Sequence, residues 1–514
     1  MKICIIGGGT AGWLAALWIA TQQPDSHEIT VVESSKIGII GAGEGTTGIF
    51  ADVIHKAFKF NYHEFMEGAK ATQKLGIRFH NWQGDGTSFI APIDNTDAAI
   101  NDSWDYSLMH LCQKYGRHKA ALSTVNGALG SRDLSTIHRT NLKVLPTGAY
   151  HFDGHQVGQT LKKKAQAEHN IACIDSEVKH CLKDERGYIT AVKLTNGRTF
   201  KADVWVDASG FARVLGKDVG AGWHSYSDFL TCNRAMPFLK PHKETISPLT
   251  EAYAMNSGWQ WNIPTQDRLG CGYVYDSNFC SDDQALQELE QHWGEKVDPI
   301  KIIKFDPGRV ERPFCKNVAT IGLAGSFLEP LQATSIHGTL GHLQHLTSNW
   351  LRPHGVTPDG VVTDELNRKV NQGVDNCADL IQVHYRSGRN DTDFWRHQQS
   401  LPLRPQVDYI RQLTKHRWPD IHDWHTAPGS VGYGVFIYPM LEYGWLDSVI
   451  ATQESMLPPG HLEKFKQEQD FINRVLVDAM PHTELITRIR DKTLLTPANP
   501  NSSQLHPLLQ SKQV

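Results

Sequence analysis

Three features of the sequence predict an α/β fold built on a parallel, Rossmann-like sheet. An apolar run near the start, Ile3 to Ile6, leads into the glycines Gly7, Gly9 and Gly12. The residues after them, Trp13 to Ala20, carry apolar side chains at helical spacing. A second apolar run, Glu28 to Val32, then ends in the acid Glu33. Strand, glycine turn, helix, strand and acid, in that order, are the context a dinucleotide-binding turn requires.

Each position has a physical reason. Gly7 allows the tight turn, Gly9 lets the backbone approach a pyrophosphate, and Gly12 lets helix and strand pack closely. The free N–H groups at the helix start face the phosphates, and Glu33 is expected to accept from a ribose hydroxyl. Further segments point back to the same place. "GAGEGTT" (41–47) is a second glycine-rich patch, "KADVWVDASG" (201–210) is an apolar strand running into Asp207, and "NVATIGLAGSFLEPLQATSIHGTL" (317–340) reads as strand, glycine turn and helix. Distant segments that return to one nucleotide suit an extended FAD better than a compact NAD. No second G-x-G-x-x-G has strand context, so a dedicated NAD(P)H domain is not expected and reducing power comes from outside.

The fold class that follows is α/β, of the FAD/NAD(P)-binding, glutathione-reductase type, with an inserted β-sheet and a mainly helical C-terminal substrate module. The FAD-binding pieces fall at about 1–100, 145–225 and 300–350, the inserted sheet at about 226–300, the helical module at 351–495 and a flexible tail at 496–514. Residues 191–207 read as a hairpin through Asn196-Gly197 into a core strand.

Composition narrows the partners. A net charge of -4 without a basic tract excludes a nucleic-acid arm. Nine dispersed cysteines with no CxxC indicate reduced thiols in a cytoplasmic setting and no zinc site. No apolar run reaches membrane-spanning length, and the N-terminus opens on a strand, so neither a membrane nor a signal peptide is expected. His342 and His345 share a helix face but lack further ligand types nearby, so no metal is expected.

Three more motifs carry a resemblance. "GWQWNIP" (258–264) sets Trp259 and Trp261 on one face of a strand, with Ile263 and Pro264 closing it. "ATQKLGIRFHNW" (71–82) holds Lys74, and "FLEPLQATSI" (327–336) follows a glycine turn. With "GGGTAGW" (7–13), these resemble the flavin-dependent halogenases of the tryptophan-halogenase type, over roughly residues 1–350. The resemblance implies an enzyme that receives reduced FAD from a separate flavin reductase, uses O2 and a halide ion to make hypohalous acid, and passes it to Lys74. There a small, electron-rich aromatic substrate is halogenated. It implies FAD contacts at Gly7, Gly8, Gly9, Thr10, Ala11, Gly12, Glu33, Ser34, Ile37, Glu44, Gly45, Asp207, Leu323 and Ile336. It places the halide at Thr334 and Ser335, and it makes Trp259, Trp261, Ile263 and Pro264 the wall that keeps substrate from the flavin. A lysine ahead of the apolar "LGI" is expected to be partly desolvated, with a lowered pKa. Arg78 is expected on its face if the stretch is one strand.

The chain departs from the family pattern in three places. The glutamate that assists the lysine is here Gln332, which can orient a partner but is no carboxylate base. The Ser-Thr-Gly-Ile loop is here Ala333-Thr334-Ser335-Ile336, and losing the glycine is expected to alter the halide pocket, favouring bromide or iodide. The Tyr-Tyr pair of the free-tryptophan clamp is missing from "TAPGSVGYGVFIYP" (426–439), so an open aromatic site for indoles or phenols is expected. The molecule is read as a monomer or homodimer. The alternatives are a flavin-dependent aromatic monooxygenase, a non-catalytic FAD carrier and an NAD-dependent dehydrogenase.

Overall fold

The computed structural model describes residues 1–24, 26–38, 43–93, 102–145, 148–424, 426–452 and 460–494. Gly41, Ala42 and the tail at 496–514 lie outside the described residues. The first sheet has six strands, in the order Phe314–Cys315, Val318–Thr320, Val204–Asp207, Lys2–Ile6, Glu28–Glu33 and Ala172–Asp175. All its pairings are parallel except the Phe314–Cys315 edge. The central strand is buried from Ile3 to Ile6: Ile3 and Ile5 pack against the helices Thr10–Gln22 and Gly154–His169, and Cys4 and Ile6 pack with Ile189, Val192 and Leu194 of a small antiparallel sheet and with Leu215 and Val219. The helix Thr10–Gln22 begins at once after the glycine turn, as the spacing predicts.

A second sheet of seven strands runs Ile303–Lys304, Arg234–Lys240, Leu269–Tyr275, Gly258–Pro264, Leu249–Ala254, Gly76–His80 and Ser88–Pro92. The sequence groups Gly76–His80 and Ser88–Pro92 with the nucleotide end. They pair instead into this sheet, the first of them parallel to Leu249–Ala254. The tryptophan motif therefore sits on a central strand, buried at all seven positions.

A small third sheet carries the lysine. Ala149–Phe152 lies between Glu44–Gly45 and Thr72–Lys74. Lys74 thus ends one strand and Gly76 begins another in a different sheet. Arg78 is not a neighbour of Lys74: it pairs across the second sheet with Glu251, its Nη1 donating to Oε1 at 3.0 Å.

The C-terminal part is mainly helical. The 25-residue helix Val361–Tyr385 buries Leu366, Val370, Val374, Ala378 and Ile381, an apolar stripe at helical spacing. Asn367 on that helix binds the Phe314 backbone through both amide groups, at 2.8 and 2.9 Å, and so fastens the helix to the edge of the first sheet. Among the described residues no helix is long and apolar enough to cross a membrane. All nine cysteines are free thiols.

Candidate active site

The lysine is sealed inside the protein. Lys74 is 1% exposed, and its Nζ donates to the Thr46 carbonyl at 3.1 Å. The amine lies over Gly45, where a Cβ would come within 3.0 Å of Nζ, so a larger residue at 45 would displace it. Among the described residues no carboxylate pairs with Lys74. Burial alone lowers its pKa to about 7, so neutral amine and ammonium coexist near neutral pH.

Lys74 faces a narrow internal cavity of about 20 Å³. That volume admits a molecule about the size of water. Its floor follows from strand register. Ile77, Thr250 and Ile263 lie in line across three neighbouring strands, and Ala252 faces Trp261 in the next row. Trp259 stands two residues before Trp261 on the same face, with ring centroids 6.1 Å apart. Pro330, Leu331, Gln332 and Ala333 close the opposite side.

Gly272 makes room for this wall. It is paired with Trp261, and a Cβ there would lie 2.1 Å from the indole ring. Gly272→Val is therefore expected to lever Trp261 out of the wall and to cost about 1–3 kcal/mol through overpacking. Urea denaturation followed by tryptophan fluorescence checks this; an unchanged midpoint and spectrum would show that the ring is not held there.

The turn that closes the cavity is strained. Gln332 and Ala333 both adopt left-handed backbone, with φ of 63° and 56°. Thr334 then opens the helix Thr334–His345, which no side chain caps. The amides of Thr334 and Ser335 fall in its first turn, where N–H groups have no partner within the helix, a setting that suits an anion. Ser335 is in ordinary helical backbone. The left-handed positions of this loop are 332 and 333, before the place of the missing glycine.

Gln332 is buried, its Nε2 lying 2.8 Å from Nε2 of His384. His384 reaches Tyr443 through Nδ1, at 3.3 Å, and burial lowers its pKa to about 3, so the ring is neutral. Just before the turn, Glu329 is 1% exposed. Its Oε2 accepts from Trp259 Nε1 at 3.0 Å and from the Tyr385 hydroxyl at 2.9 Å. Burial raises this carboxyl to about 7, the two donors pulling the other way. Glu329 therefore ties the tryptophan strand to the closing turn. Residues 426–439, where a substrate clamp was sought, pack against helices instead: Ser430 accepts from His337 at 3.0 Å, and Gly429 lies against Gly341.

The nucleotide turn is built as its glycines require. A Cβ on Gly7 would lie 2.2 Å from the Ala208 carbonyl, and one on Gly12 would lie 1.9 Å from the Gly7 carbonyl. A Cβ on Gly9 would meet nothing within 4 Å. The bare backbone at Gly9, followed by a helix start without a side-chain cap, is a cradle of the kind a pyrophosphate fills. The residues present fit a dinucleotide.

A family model described as tryptophan halogenase matches residues 2–440. The chain belongs to the tryptophan halogenase family. The tryptophan 7-halogenase KtzQ of Kutzneria sp. (strain 744) is 32% identical over 431 residues, covering 78% of this chain and 79% of its own. Among solved structures, Tar14, a tryptophan C-6 flavin-dependent halogenase (chlorinase) from taromycin biosynthesis, superposes with a TM-score of 0.86 at 26% identity, covering 95% of this chain and 99% of its own. BrvH, a flavin-dependent halogenase from Brevundimonas sp. BAL3, superposes with a TM-score of 0.81 at 27% identity, covering 95% and 99%. This chain is an enzyme of the flavin-dependent halogenase kind.

The remaining expected contacts of this halogenase are distributed unevenly around the nucleotide turn. Glu33 accepts from Trp13 Nε1 at 3.1 Å and pairs with Lys162, so the tryptophan after the glycines orients the acid. Ser34 donates to Glu177 at 3.2 Å, and Ile37 is exposed. Thr10 is buried, and Ala11 packs under Gly322, whose Cβ would lie 2.6 Å away, bringing Leu323 beside the helix start. The carboxylate of Asp207 is spent on its own loop: it accepts from Ser209 N and Oγ and from the amides of Leu215 and Gly216, at 2.6–3.0 Å. Asp207 therefore shapes the loop after its strand and has no oxygen left for a cofactor. Glu44 sits at the start of the helix Gly154–His169, and burial, with Asp153 beside it, raises its carboxyl to about 7. Ile336 is buried in the first turn of the helix Thr334–His345.

Proposed function

We propose that this halogenase takes reduced FAD from a separate flavin reductase, together with O2 and a halide ion, and halogenates an electron-rich aromatic ring at Lys74. The observation that carries the reading is a buried amine, without a carboxylate partner among the described residues, that faces a narrow cavity walled by two indoles. When bound, reduced FAD supplies the electrons for O2 activation. The halide gives up two electrons and leaves as hypohalous acid with one oxygen of O2; the other oxygen becomes water. Gly7 to Gly12 hold the pyrophosphate, Glu33 the ribose, and Gly45, Leu323 and Ile336 the flavin side. The amides of Thr334 and Ser335 hold the halide.

Trp259, Trp261, Ile263 and Pro264 exclude water and keep the aromatic ring from the flavin, which protects the oxidant. At Lys74 the neutral amine captures the halogen, or the ammonium polarises the hypohalous acid. The ring gains the halogen and loses a proton, and hydroxide from the acid leaves as water. Gln332 orients this exchange, and water takes the ring proton. The halide order we propose, bromide and iodide ahead of chloride, is supported by ease of oxidation alone. The free thiols support a cytoplasmic setting.

The test supplies the protein with FAD, a flavin reductase with NADH, air, equal chloride, bromide and iodide, and in turn indole, tryptophan and phenol. Mass spectrometry is expected to find haloarenes that vanish when halide is left out. A hydroxylated product would instead mark an aromatic monooxygenase.

A further inference from the structure

Among the described residues, besides the two indoles, only Lys74, Thr250 and Gln332 bring hydrogen-bonding side chains to the cavity lining. Thr250 is held from behind. Its Oγ1 lies 2.7 Å from Nε2 of His151, a ring with no solvent exposure. Nδ1 of His151 lies 3.4 Å from Oγ1 of Thr72, and that oxygen lies 2.6 Å from the Pro264 carbonyl.

The direction of every bond in this chain is fixed from one end. A carbonyl only accepts, so Thr72 gives its one hydrogen to Pro264. Thr72 then accepts from His151, which puts the ring hydrogen on Nδ1 and a lone pair on Nε2. Burial, with Lys74 and His482 nearby, outweighs a hydrogen bond from the ring to the Gln73 backbone and keeps the ring neutral, so it carries one hydrogen and not two. Thr250 must therefore donate to His151. Its single hydrogen is spent away from the cavity, and only its lone pairs remain for whatever the cavity holds.

We propose that Thr250 is a catalytic residue that orients hypohalous acid at Lys74: its oxygen accepts the O–H hydrogen of the acid, while the Lys74 ammonium donates to the acid's oxygen. The halogen is then the one end of the oxidant not held by the protein, free to be delivered to the aromatic ring. Both hydrogen bonds form without any proton changing owner, and Thr72 and His151 act as positioning residues behind Thr250. The inference rests on the reading of Lys74 given under Proposed function.

Two measurements test it. The first needs no flavin: nitrogen NMR of the protein labelled at histidine nitrogens, with His151 identified by its loss in His151→Gln. A neutral ring protonated at Nδ1 and bare at Nε2 is expected; a hydrogen on Nε2 overturns the proposal. The second uses the protein with FAD, a flavin reductase, bromide and indole, and reads bromoindole against hypobromous acid caught by an added β-diketone. Thr250→Val is expected to lower bromoindole by about tenfold or more and to raise the escaped acid, while Thr250→Ser stays within about threefold of wild type. Thr250→Ala replaces the valine variant if that protein fails to fold. Bromoindole unchanged in the variant lacking the hydroxyl overturns the role of Thr250. Absence of bromoindole from the wild type overturns the reading of Lys74 itself, whatever the histidine spectrum shows.

Discussion

Lys74→Met is expected to abolish haloarene formation, by about a thousandfold or more on the scale of lost acid–base groups, and to stabilise the fold. The two effects have one cause. In the unfolded chain this amine keeps its proton up to a pH near its ordinary value of 10.5, but in the fold only up to about 7. Between those values the unfolded state binds more protons, so stability rises with pH across that window. The penalty of the buried ammonium is fully present below about 7 and is gone above 10.5. At about 1.4 kcal/mol per pH unit it amounts to roughly 5 kcal/mol. Methionine fills similar space without a charge but leaves the Thr46 carbonyl unpaired, at a cost of about 1–3 kcal/mol. The net gain is then about 3 kcal/mol in acid and shrinks as the pH approaches 10. Urea denaturation of both proteins at about pH 6 and pH 9.5 reads this directly. A difference between them that does not change with pH would mean that the amine is solvated in the fold, and the mechanism built on it would fall. The other titrating groups are shared by both proteins and cancel, apart from His151, whose ring the Lys74 charge helps to keep neutral.

What the sequence discloses of this site depends on how local each signal is. The glycine turn is legible because its parts lie within one strand–turn–helix–strand unit, and Gly7 and Gly12 each answer a local steric demand. The tryptophan pair is legible because a strand alternates its faces, so Trp259 and Trp261 must point the same way. Lys74 stands out through the resemblance alone, since one lysine in an apolar stretch has no spacing signal. Its predicted desolvation is met because the strand Thr72–Lys74 is buried at all three positions. Arg78 was misplaced because the chain changes sheets at Leu75, a break that periodicity does not register. His151, Thr250, Glu329 and His384 have no local signature. His151 and Thr250 are 99 residues apart, and only the meeting of two sheets puts them in one hydrogen-bonded row. Glu329 gave one hint, its place two residues before Leu331 in a stretch already singled out. Asp207 shows the converse, a motif residue whose carboxylate serves its own loop.

The second large effect is expected at Gly9. Its backbone is extended, with φ of -78°, a conformation any residue adopts, and a Cβ there meets nothing within 4 Å. Gly9→Val should therefore fold, losing no more than about 1 kcal/mol at the start of the helix Thr10–Gln22. Its methyl groups would stand in the space through which the backbone approaches a pyrophosphate, so FAD affinity is expected to fall by at least about tenfold, or 1.4 kcal/mol. Gly12→Ala makes the contrast. There a Cβ would press to 1.9 Å from the Gly7 carbonyl, so the turn itself must open, and both stability and FAD binding are expected to be lost. Flavin fluorescence titration beside thermal unfolding separates the two variants. If Gly9→Val binds FAD as tightly as wild type, the nucleotide does not lie across this turn, and the space beside Gly9 is no cradle.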